Sequence, residues 1–458
     1  MVVRLWNSRQ VRWLLGDPLG FLVLLVVLAV VGLAIGSTFP SESGTFYAGR
    51  AVKLYIKSVI AIVKPYIFCS IFLSIYENRK DAGWLMAQTV GVYTLTTVNA
   101  TTLGMLFGAL VFGRTDLRYL AGDRPPDPQP DWIDHWVKLP VIGDIDFLSI
   151  ILIGLTVGLV FAWVVPSAVV HLRKRLPDGR GPLHPALRAS VDLGDALERG
   201  CARVQDLIQR LLGYVVKVVP FVVLLTFYAA GSAFGPEVVT GPIGMLILGS
   251  TIAMGVHVTM LMVFLLWRFR RPALEFMKTM RTPIFEGMAA RSSGLALPMM
   301  QKHAREAGLS EPVVNFTFPF GSTTNMDGTA CVLGFMTVMT FQGFYGVGLS
   351  PTMWAATAVF IVIGSAATAS APSASLAILT YVLLAVAPWV GAEPQPLYTN
   401  LALMLAIAAD PISDTFRTGV NLTGDSAASL YIDRTNGEFE RGAKATIARL
   451  RRVAARRG

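Results

Sequence analysis

The stretch DPISDTFRTGVNLTGD, residues 410–425, places charged and amide side chains inside a run that is otherwise apolar. At about 100° per residue, an α-helix brings six of these polar side chains into one narrow stripe. They are Asp410, Asp414, Arg417, Thr418, Asn421 and Asp425. The sequence therefore predicts an apolar helix with a single polar seam, and the meaning of this seam depends on the solvent around the helix.

The composition places that helix in a membrane. The 458 residues are 53% hydrophobic and 15% charged, with a mean hydropathy of +0.57, whereas soluble proteins carry about 25% charged residues. Apolar runs long enough for a span of about 20 residues lie at 18–36, 148–165, 215–231 and 242–266. We expect a polytopic helical membrane protein whose first run is a retained helix, because it lacks a signal-peptide cleavage site.

The order of apolar segments predicts an internal repeat. Spans are predicted at about 18–37, 50–75, 83–113, 146–171, 208–234 and 241–267. Residues 272–300 and 350–390 then have two short apolar arms around a small polar tip, which predicts re-entrant hairpins, since arms of roughly 14 residues are too short to cross a bilayer. Each hairpin precedes a polar helix that is predicted to be broken, at 311–345 and 397–433. Two such units indicate an inverted repeat, which in transporters surrounds the substrate site.

Basic residues collect in alternate connections between the predicted spans. They precede the first span, recur at 79–80, 171–180 and 268–271, and fill the C-terminal tail, whereas 114–146 carries seven Asp against four Lys or Arg. This asymmetry predicts that both termini are cytoplasmic. The net charge of +10 is then a property of topology, and the scattered basic residues argue against a nucleic-acid partner.

Other sites with recognisable spacing are not predicted. The three cysteines offer no disulfide framework, and the five histidines are dispersed without metal-ligand spacing. His257 lies within a predicted span, where we expect it to form a helix–helix hydrogen bond. The sequence contains no serine hydrolase, HExxH or P-loop motif.

A second polar cluster, FPFGSTTNMDGTACVLGF at 318–335, accompanies the seam. A charge at the bilayer centre costs about 2.5–3.5 kcal/mol, so the seam must face protein or a watery cavity. Gly321 and Gly328 predict local unwinding, which is tolerated at membrane depth only beside protein or a cavity. Freed carbonyls with Asn325 and Asp327 make an oxygen-rich site that suits sodium. A buried ion-pair network and an ordinary glycine kink are the structural alternatives.

Three motifs, taken together, resemble one transporter family. NMDGTA (325–330), RSSGLALP (291–298) and DTFRTGVNLTGD (414–425) are similar to the sodium-coupled glutamate/aspartate transporters, the dicarboxylate/amino acid:cation symporters, and the likeness runs from the first span to residue 433. The resemblance implies an all-α fold with eight transmembrane helices and two re-entrant hairpins, in a homotrimer of the prokaryotic type in a bacterial inner membrane.

The resemblance also implies a division of the chain for an elevator mechanism. It assigns 1–82 and 114–240 to a fixed scaffold, 83–113 and 241–434 to a moving transport domain, and 435–458 to a basic cytoplasmic tail. Arg291 at the first hairpin tip matches prokaryotic members, so potassium counter-transport is not expected.

The substrate residues are carried over from the same resemblance. Asp414 matches the residue that binds the substrate's amino group, and Arg417 matches the residue that binds its side-chain carboxylate, a chemically coherent pair. They lie about 60° apart on the helix, so they are also expected to pair with each other in the absence of substrate. The remaining substrate residues implied are Arg291, Ser292, Ser293, Thr329, Ala371, Ser375, Thr418 and Asn421.

Three groups of sodium ligands are implied in the same way, with oxygen donors from several segments. They are Asn421 and Asp425 with Gly321 and Asn325; Tyr93, Thr96 and Thr97 with Asn325 and Asp327; and Thr323 and Met326 with carbonyls of Ser365, Ala366 and Thr368; Asp410 is a further candidate ligand.

The chain departs from the family pattern at Ser375, where relatives carry a glycine near the substrate, and at the first tip, where it reads Ser-Ser-Gly. We predict a sodium-coupled symporter of an acidic amino acid, aspartate or glutamate, and not an enzyme. The alternatives are a sodium- or proton-coupled symporter of C4-dicarboxylates and an anion channel.

Overall fold

The computed structural model describes residues 18–77, 84–120, 153–154, 156–168, 185–366, 368, 374–390 and 396–455. All regular structure within these ranges is helical. The main helices are α1 (Pro18–Thr38), α2 (Glu42–Glu77), α3 (Trp84–Phe112), α4 (Thr156–Ala168), α5 (Pro185–Phe234), α6 (Gly244–Phe269), α7 (Arg271–Ala290), α8 (Ser293–Glu306), α9 (Glu311–Thr324), α10 (Asp327–Val338), α11 (Pro351–Ala366), α12 (Ala374–Val386) and α13 (Pro396–Ala455).

Helices α1 and α2 both pack along α5. Gly32 and Gly36 let α1 approach α5 closely, since a Cβ at either position would collide with the backbone of Leu224 or Tyr228. The helices at the predicted spans 50–75 and 208–234 begin earlier than predicted, α2 at Glu42 and α5 at Pro185. The added part of α5 is amphipathic and charged, so an apolar-run criterion passes over it.

Helices α3 and α6 match their predicted spans closely. Among the described residues, Trp84–Phe112 and Gly241–Phe269 are the helices that are long and apolar enough to cross a membrane. Helix α3 packs tightly on α10, where Gly104 lies directly against the carbonyl of Cys331. Phe112 and Phe335 close one end of this contact as an edge-to-face pair, with ring centroids 5.7 Å apart.

The two segments predicted as hairpins each contain a pair of packed helices, α7 with α8 and α11 with α12; their re-entry into the membrane stays a prediction. Helix α7 has 20 residues, longer than the arms of roughly 14 predicted for it. The tip of the second hairpin at 369–373 lies outside the described residues, as do the basic connections at 79–80 and 171–180 and most of the acidic loop at 114–146.

The two helices with polar interruptions behave differently. Helix α9 ends at Thr324 and α10 begins at Asp327, so the predicted break between Gly321 and Gly328 is present. The break predicted within 397–433 was wrong, because α13 is one helix of 60 residues. The hydroxyls of Thr418 and Ser426 donate to the carbonyls four residues earlier, at 2.8 Å in both cases. Their polar groups are thus satisfied inside the helix and leave it unbroken.

Candidate functional site

The polar seam of α13 is built around the Arg417 guanidinium. Its Nη2 donates to Asp414 Oδ1 and, at 3.1 Å, to Asp410 Oδ1, while its Nη1 donates to Ser375 Oγ at the start of α12. All four residues are buried. The pairing of Asp414 with Arg417 was predicted from their helical spacing. Asp410 forms an ion pair with Arg417, and its role as a cation ligand stays a prediction.

One oxygen of this ion-pair cluster is left over. Asp414 Oδ2 is buried and has no hydrogen-bond partner among the described residues. A buried carboxylate oxygen without a donor is costly, because its desolvation is not compensated. The hydroxyl of Thr418, one turn further along the seam, donates to the backbone carbonyl of Asp414 and not to its carboxylate. The seam therefore presents an acceptor and a guanidinium side by side.

The break in the α9–α10 unit meets the seam directly. Gly328 lies so close to α13 that a Cβ there would collide with the Arg417 backbone. Its N–H donates to Asn421 Oδ1 at 2.8 Å, and Asn421 Nδ2 lies 3.2 Å from Met326 Sδ. The N-terminal turn of α10 is thus held against the seam, with Thr329 buried in that turn.

Beside this contact, side-chain oxygens from α3 gather around the break. The Thr97 hydroxyl donates to Asp327 Oδ1 at 2.9 Å, and the Thr96 hydroxyl lies 3.2 Å from the same oxygen and 3.1 Å from Asn325 Oδ1. Asn325 Nδ2 donates in turn to Asp425 Oδ1 at 3.0 Å. These five residues, the cation cluster hereafter, have the hard oxygen ligands that suit sodium.

Gly321 and Tyr93 border the cation cluster. A Cβ on Gly321 would lie 2.5 Å from Asp425 Oδ1 and 2.6 Å from Tyr93 Oη, so the α9 backbone runs directly beneath both groups. The Tyr93 hydroxyl donates to the Thr317 carbonyl at 2.8 Å. Sequence-predicted ligands from α3, α9, α10 and α13 are therefore neighbours in the fold.

The first hairpin tip also reaches this region. Ser293 Oγ donates to the Ser322 carbonyl near the end of α9, at 3.3 Å, and Ser292 caps α8 by accepting from the Leu295 N–H. Arg291 at the turn is buried and has φ of 50°, a left-handed conformation that is uncommon outside glycine. The tip residues are thus held in place by short-range caps and by contact with α9.

The third predicted group of sodium ligands is only partly described. Thr323 donates to the Phe320 carbonyl at 3.0 Å and Ser365 to the Val362 carbonyl at 3.1 Å, so both hydroxyls bond their own helices. Helix α11 ends at Ala366, and Thr368 is buried just beyond that end. The Thr368 N–H donates a hydrogen bond to the Ser365 carbonyl. Ala371 lies outside the described residues. This group and the role of Ala371 stay predictions.

His257 is a member of the site that sequence reasoning did not place there. Its Nε2 lies 3.2 Å from Asp327 Oδ2, and both side chains are fully buried. The predicted helix–helix hydrogen bond is therefore present, but its partner is a carboxylate of the cation cluster. The signal in the sequence was a lone histidine within an apolar span; its partner, 70 residues away, could not be read from spacing.

The charges of the site do not balance within the described residues. Asp327, Asp410, Asp414 and Asp425 are each at most 4% exposed, whereas the buried arginines of the region are Arg417 and Arg291. Ionised carboxylates in excess of buried cations are strongly destabilised unless other cations bind beside them. The arrangement therefore suits simultaneous binding of metal cations and of a ligand that carries both charges.

Comparisons with known proteins agree on a transporter. Residues 21–435 match the family described as Sodium:dicarboxylate symporter family. The chain is 22% identical over 432 residues to C4-dicarboxylate transport protein 2 of Bradyrhizobium sp. (strain ORS 278), covering 91% of this chain and 89% of that protein. It is 25% identical over 449 residues to a C4-dicarboxylate transport protein of Anaeromyxobacter sp. (strain K), covering 93% and 92%. Over 250 residues, 52% of each chain, it is 27% identical to the Proton/sodium-glutamate symport protein of Bacillus subtilis (strain 168).

Proposed function

Because the chain belongs to the sodium:dicarboxylate symporter family, and is therefore a membrane transport protein, we propose that it couples sodium entry to the uptake of an acidic amino acid. The proposed substrates are aspartate and glutamate. In a bacterial cell it would act in the inner membrane with both termini cytoplasmic.

The observation that carries the choice of substrate is the buried Oδ2 of Asp414, which has no hydrogen-bond partner among the residues that the structure describes. An α-ammonium group is a strong donor that meets this oxygen and neutralises the carboxylate. The side-chain carboxylate of the same ligand suits the planar guanidinium of Arg417. It would replace one of the present partners of Arg417, which are Asp410, Asp414 and Ser375. An acidic amino acid therefore satisfies both members of the pair at once.

Sodium coupling is supported by the cation cluster and its charge. Asp327 and Asp425 are buried among hydroxyl and amide oxygens, and a bound sodium ion compensates each carboxylate. The hydrogen bond between Gly328 and Asn421 connects the substrate residues to the cation cluster. If substrate and sodium bind best to the conformation that has this contact, each raises the affinity of the protein for the other by linkage. We infer that sodium is a co-transported substrate of this chain.

A second candidate is symport of a C4-dicarboxylate without an amino group. It is favoured by the C4-dicarboxylate transport proteins of Bradyrhizobium and Anaeromyxobacter described above, whose alignments each cover more than nine-tenths of this chain. Ser375 supports it in part, because its hydroxyl already reaches Arg417 and adds a hydrogen bond for a second carboxylate. Such a substrate, however, leaves Asp414 Oδ2 without a donor.

The packing also supports an elevator-type mechanism. Helices α1, α2 and α5 form one group, and α3 packs with α6–α13, while the groups meet mainly through α12 on α2 and α13 on α5. We assign the first group to a scaffold and the second to a transport domain that moves against it. Assembly as a homotrimer belongs to the same proposal.

Uptake into proteoliposomes tests these assignments directly. Labelled aspartate, glutamate and succinate are offered separately to the purified protein, with sodium or choline outside and a matched membrane potential. We expect sodium-dependent uptake of the amino acids to exceed that of succinate. Equal uptake with either cation contradicts sodium coupling, and succinate uptake equal to that of aspartate favours the second candidate.

A further inference from the structure

A groove of about 510 Å³ lies between α3, α6 and α13, and Thr96 is the member of the cation cluster that lines it. Its walls are mainly aliphatic and aromatic, and it is open at the surface of the described residues, where Leu95 is 72% exposed. Phe264 and Tyr431 line it as neighbours, with ring centroids 5.7 Å apart. Neither the proposed symport nor the comparisons give this groove a role.

The groove has a polar end and an apolar end. Gln88, Arg268 and Thr435 line the polar end, where Gln88 Nε2 donates to Thr435 Oγ1 at 2.6 Å. Thr96, at the other end of the groove, lies eight residues after Gln88 on α3, which is about 12 Å along the helix axis. That length fits within one half of a hydrocarbon core of about 30 Å. In a bilayer that α3 spans, a groove of this length along the helix extends through one leaflet.

One arginine lines the polar end, and three more are close to lining residues along the chain. Arg268 lines the groove with its guanidinium over the Phe269 ring at 5.1 Å. Arg270 and Arg271 follow at the end of α6, and Arg434 precedes Thr435 on α13; all four arginines are exposed. Gln88 Oε1 is buried there and has no hydrogen-bond partner among the described residues. A headgroup with a phosphate and a hydroxyl complements both features.

We propose that this groove binds an anionic phospholipid of the bilayer, with one acyl chain between α3, α6 and α13 and the phosphate beside the arginines. Its inner end is Thr96, which belongs to both the groove and the cation cluster. The lipid chain therefore packs against a residue whose hydroxyl contacts Asp327. The proposal depends on the chain lying in a membrane, which family membership gives, and not on the identity of the transported substrate.

Gly91 offers a sharp test, because it lines the groove and a Cβ there meets no atom within 4 Å. Gly91→Leu fills the groove with side chain and favours the helix. Gly255→Leu is the matched control: Gly255 lies on α6, also has no atom within 4 Å of its Cβ, and is not part of the groove. Both variants and the parent are exchanged into vesicles of equal phosphatidylglycerol and phosphatidylcholine, extracted in mild detergent, and weighed by native mass spectrometry.

We expect the parent and Gly255→Leu to retain phosphatidylglycerol in preference to phosphatidylcholine, and Gly91→Leu to lose most of it. Arg268→Gln, which leaves the apolar walls intact, should keep a lipid but lose the preference for phosphatidylglycerol. Retention by Gly91→Leu equal to that of the parent overturns the site, and an unchanged preference in Arg268→Gln overturns the anionic headgroup. Lipid retention needs no transport, so the test stands even where sodium-driven uptake fails.

Discussion

Replacing Asp414 by asparagine tests the assignment of the amino group most directly. The change keeps the size of the side chain and removes the charge that faces both Arg417 and the proposed ammonium. Removing one partner of a buried charge pair costs about 3–5 kcal/mol, which corresponds to roughly two to three and a half decades in affinity at about 1.4 kcal/mol per decade. We expect Asp414→Asn to weaken aspartate binding by that factor and to leave succinate binding unchanged or stronger.

The quantity to measure is the ratio of the dissociation constants for aspartate and succinate, from calorimetric titration of the purified protein in saturating sodium. Asp410→Asn is the matched control, because Asp410 is equally buried and also pairs with Arg417. In the control both affinities should change together, so that the ratio stays near that of the parent. An equal shift of the ratio in both variants would refute a specific role for Asp414 and reduce it to a counter-ion of Arg417.

Four further substitutions, with His257→Gln and Gly255→Ala as comparison variants, probe the neighbouring contacts. Asp327→Asn and Asp425→Asn should each raise the sodium concentration for half-maximal uptake by about tenfold or more, at about 1.4 kcal/mol per decade; an unchanged value in both removes the cation cluster from sodium binding. His257→Ala should raise the sodium concentration for half-maximal uptake by about tenfold, since a hydrogen bond to a charged group is worth about 1.5–3 kcal/mol. His257→Gln, which can still donate to Asp327, should reverse part of this increase. Equal sodium concentrations for the two variants contradict the orientation of Asp327 by this hydrogen bond. Gly328→Ala should lower the melting temperature of the purified protein, because overpacking costs about 1–3 kcal/mol, whereas Gly255→Ala should leave it unchanged; a Gly328→Ala protein as stable as the parent contradicts the close approach to α13.

The sequence was most informative where hydropathy and polarity change together. The ends of α3 and the break at Asn325 were predicted closely, because apolar runs and flanking glycines mark them. The start of α5 was not, since its amphipathic first half is stabilised by packing that no apolar run records. The unbroken course of α13 was missed for a related reason: its hydroxyls bond to the helix's own carbonyls, which a count of polar residues does not reveal.

In the candidate site, too, contacts within one helix were easier to predict than contacts between helices. The seam placed Arg417 and Asp414 on one face, and helical spacing alone predicted their pairing. Contacts between distant segments, such as His257 with Asp327 or Arg417 with Ser375, depend on how helices pack and have no sequence spacing to identify them. The positions of single residues were therefore predictable within a helix and much less so between helices.

The unbroken course of α13 has a practical consequence for measuring motion. Thirty residues of continuous helix separate Asp425 from Ala455, about 45 Å at 1.5 Å per residue. Such a rod acts as a lever: a tilt of about 10° at the site sweeps its far end through about 8 Å over that length. A fluorophore or spin label near residue 455 thus becomes a pointer that magnifies small rotations of the binding helix into distances that spectroscopy resolves, without any alteration of the residues that hold the ligand.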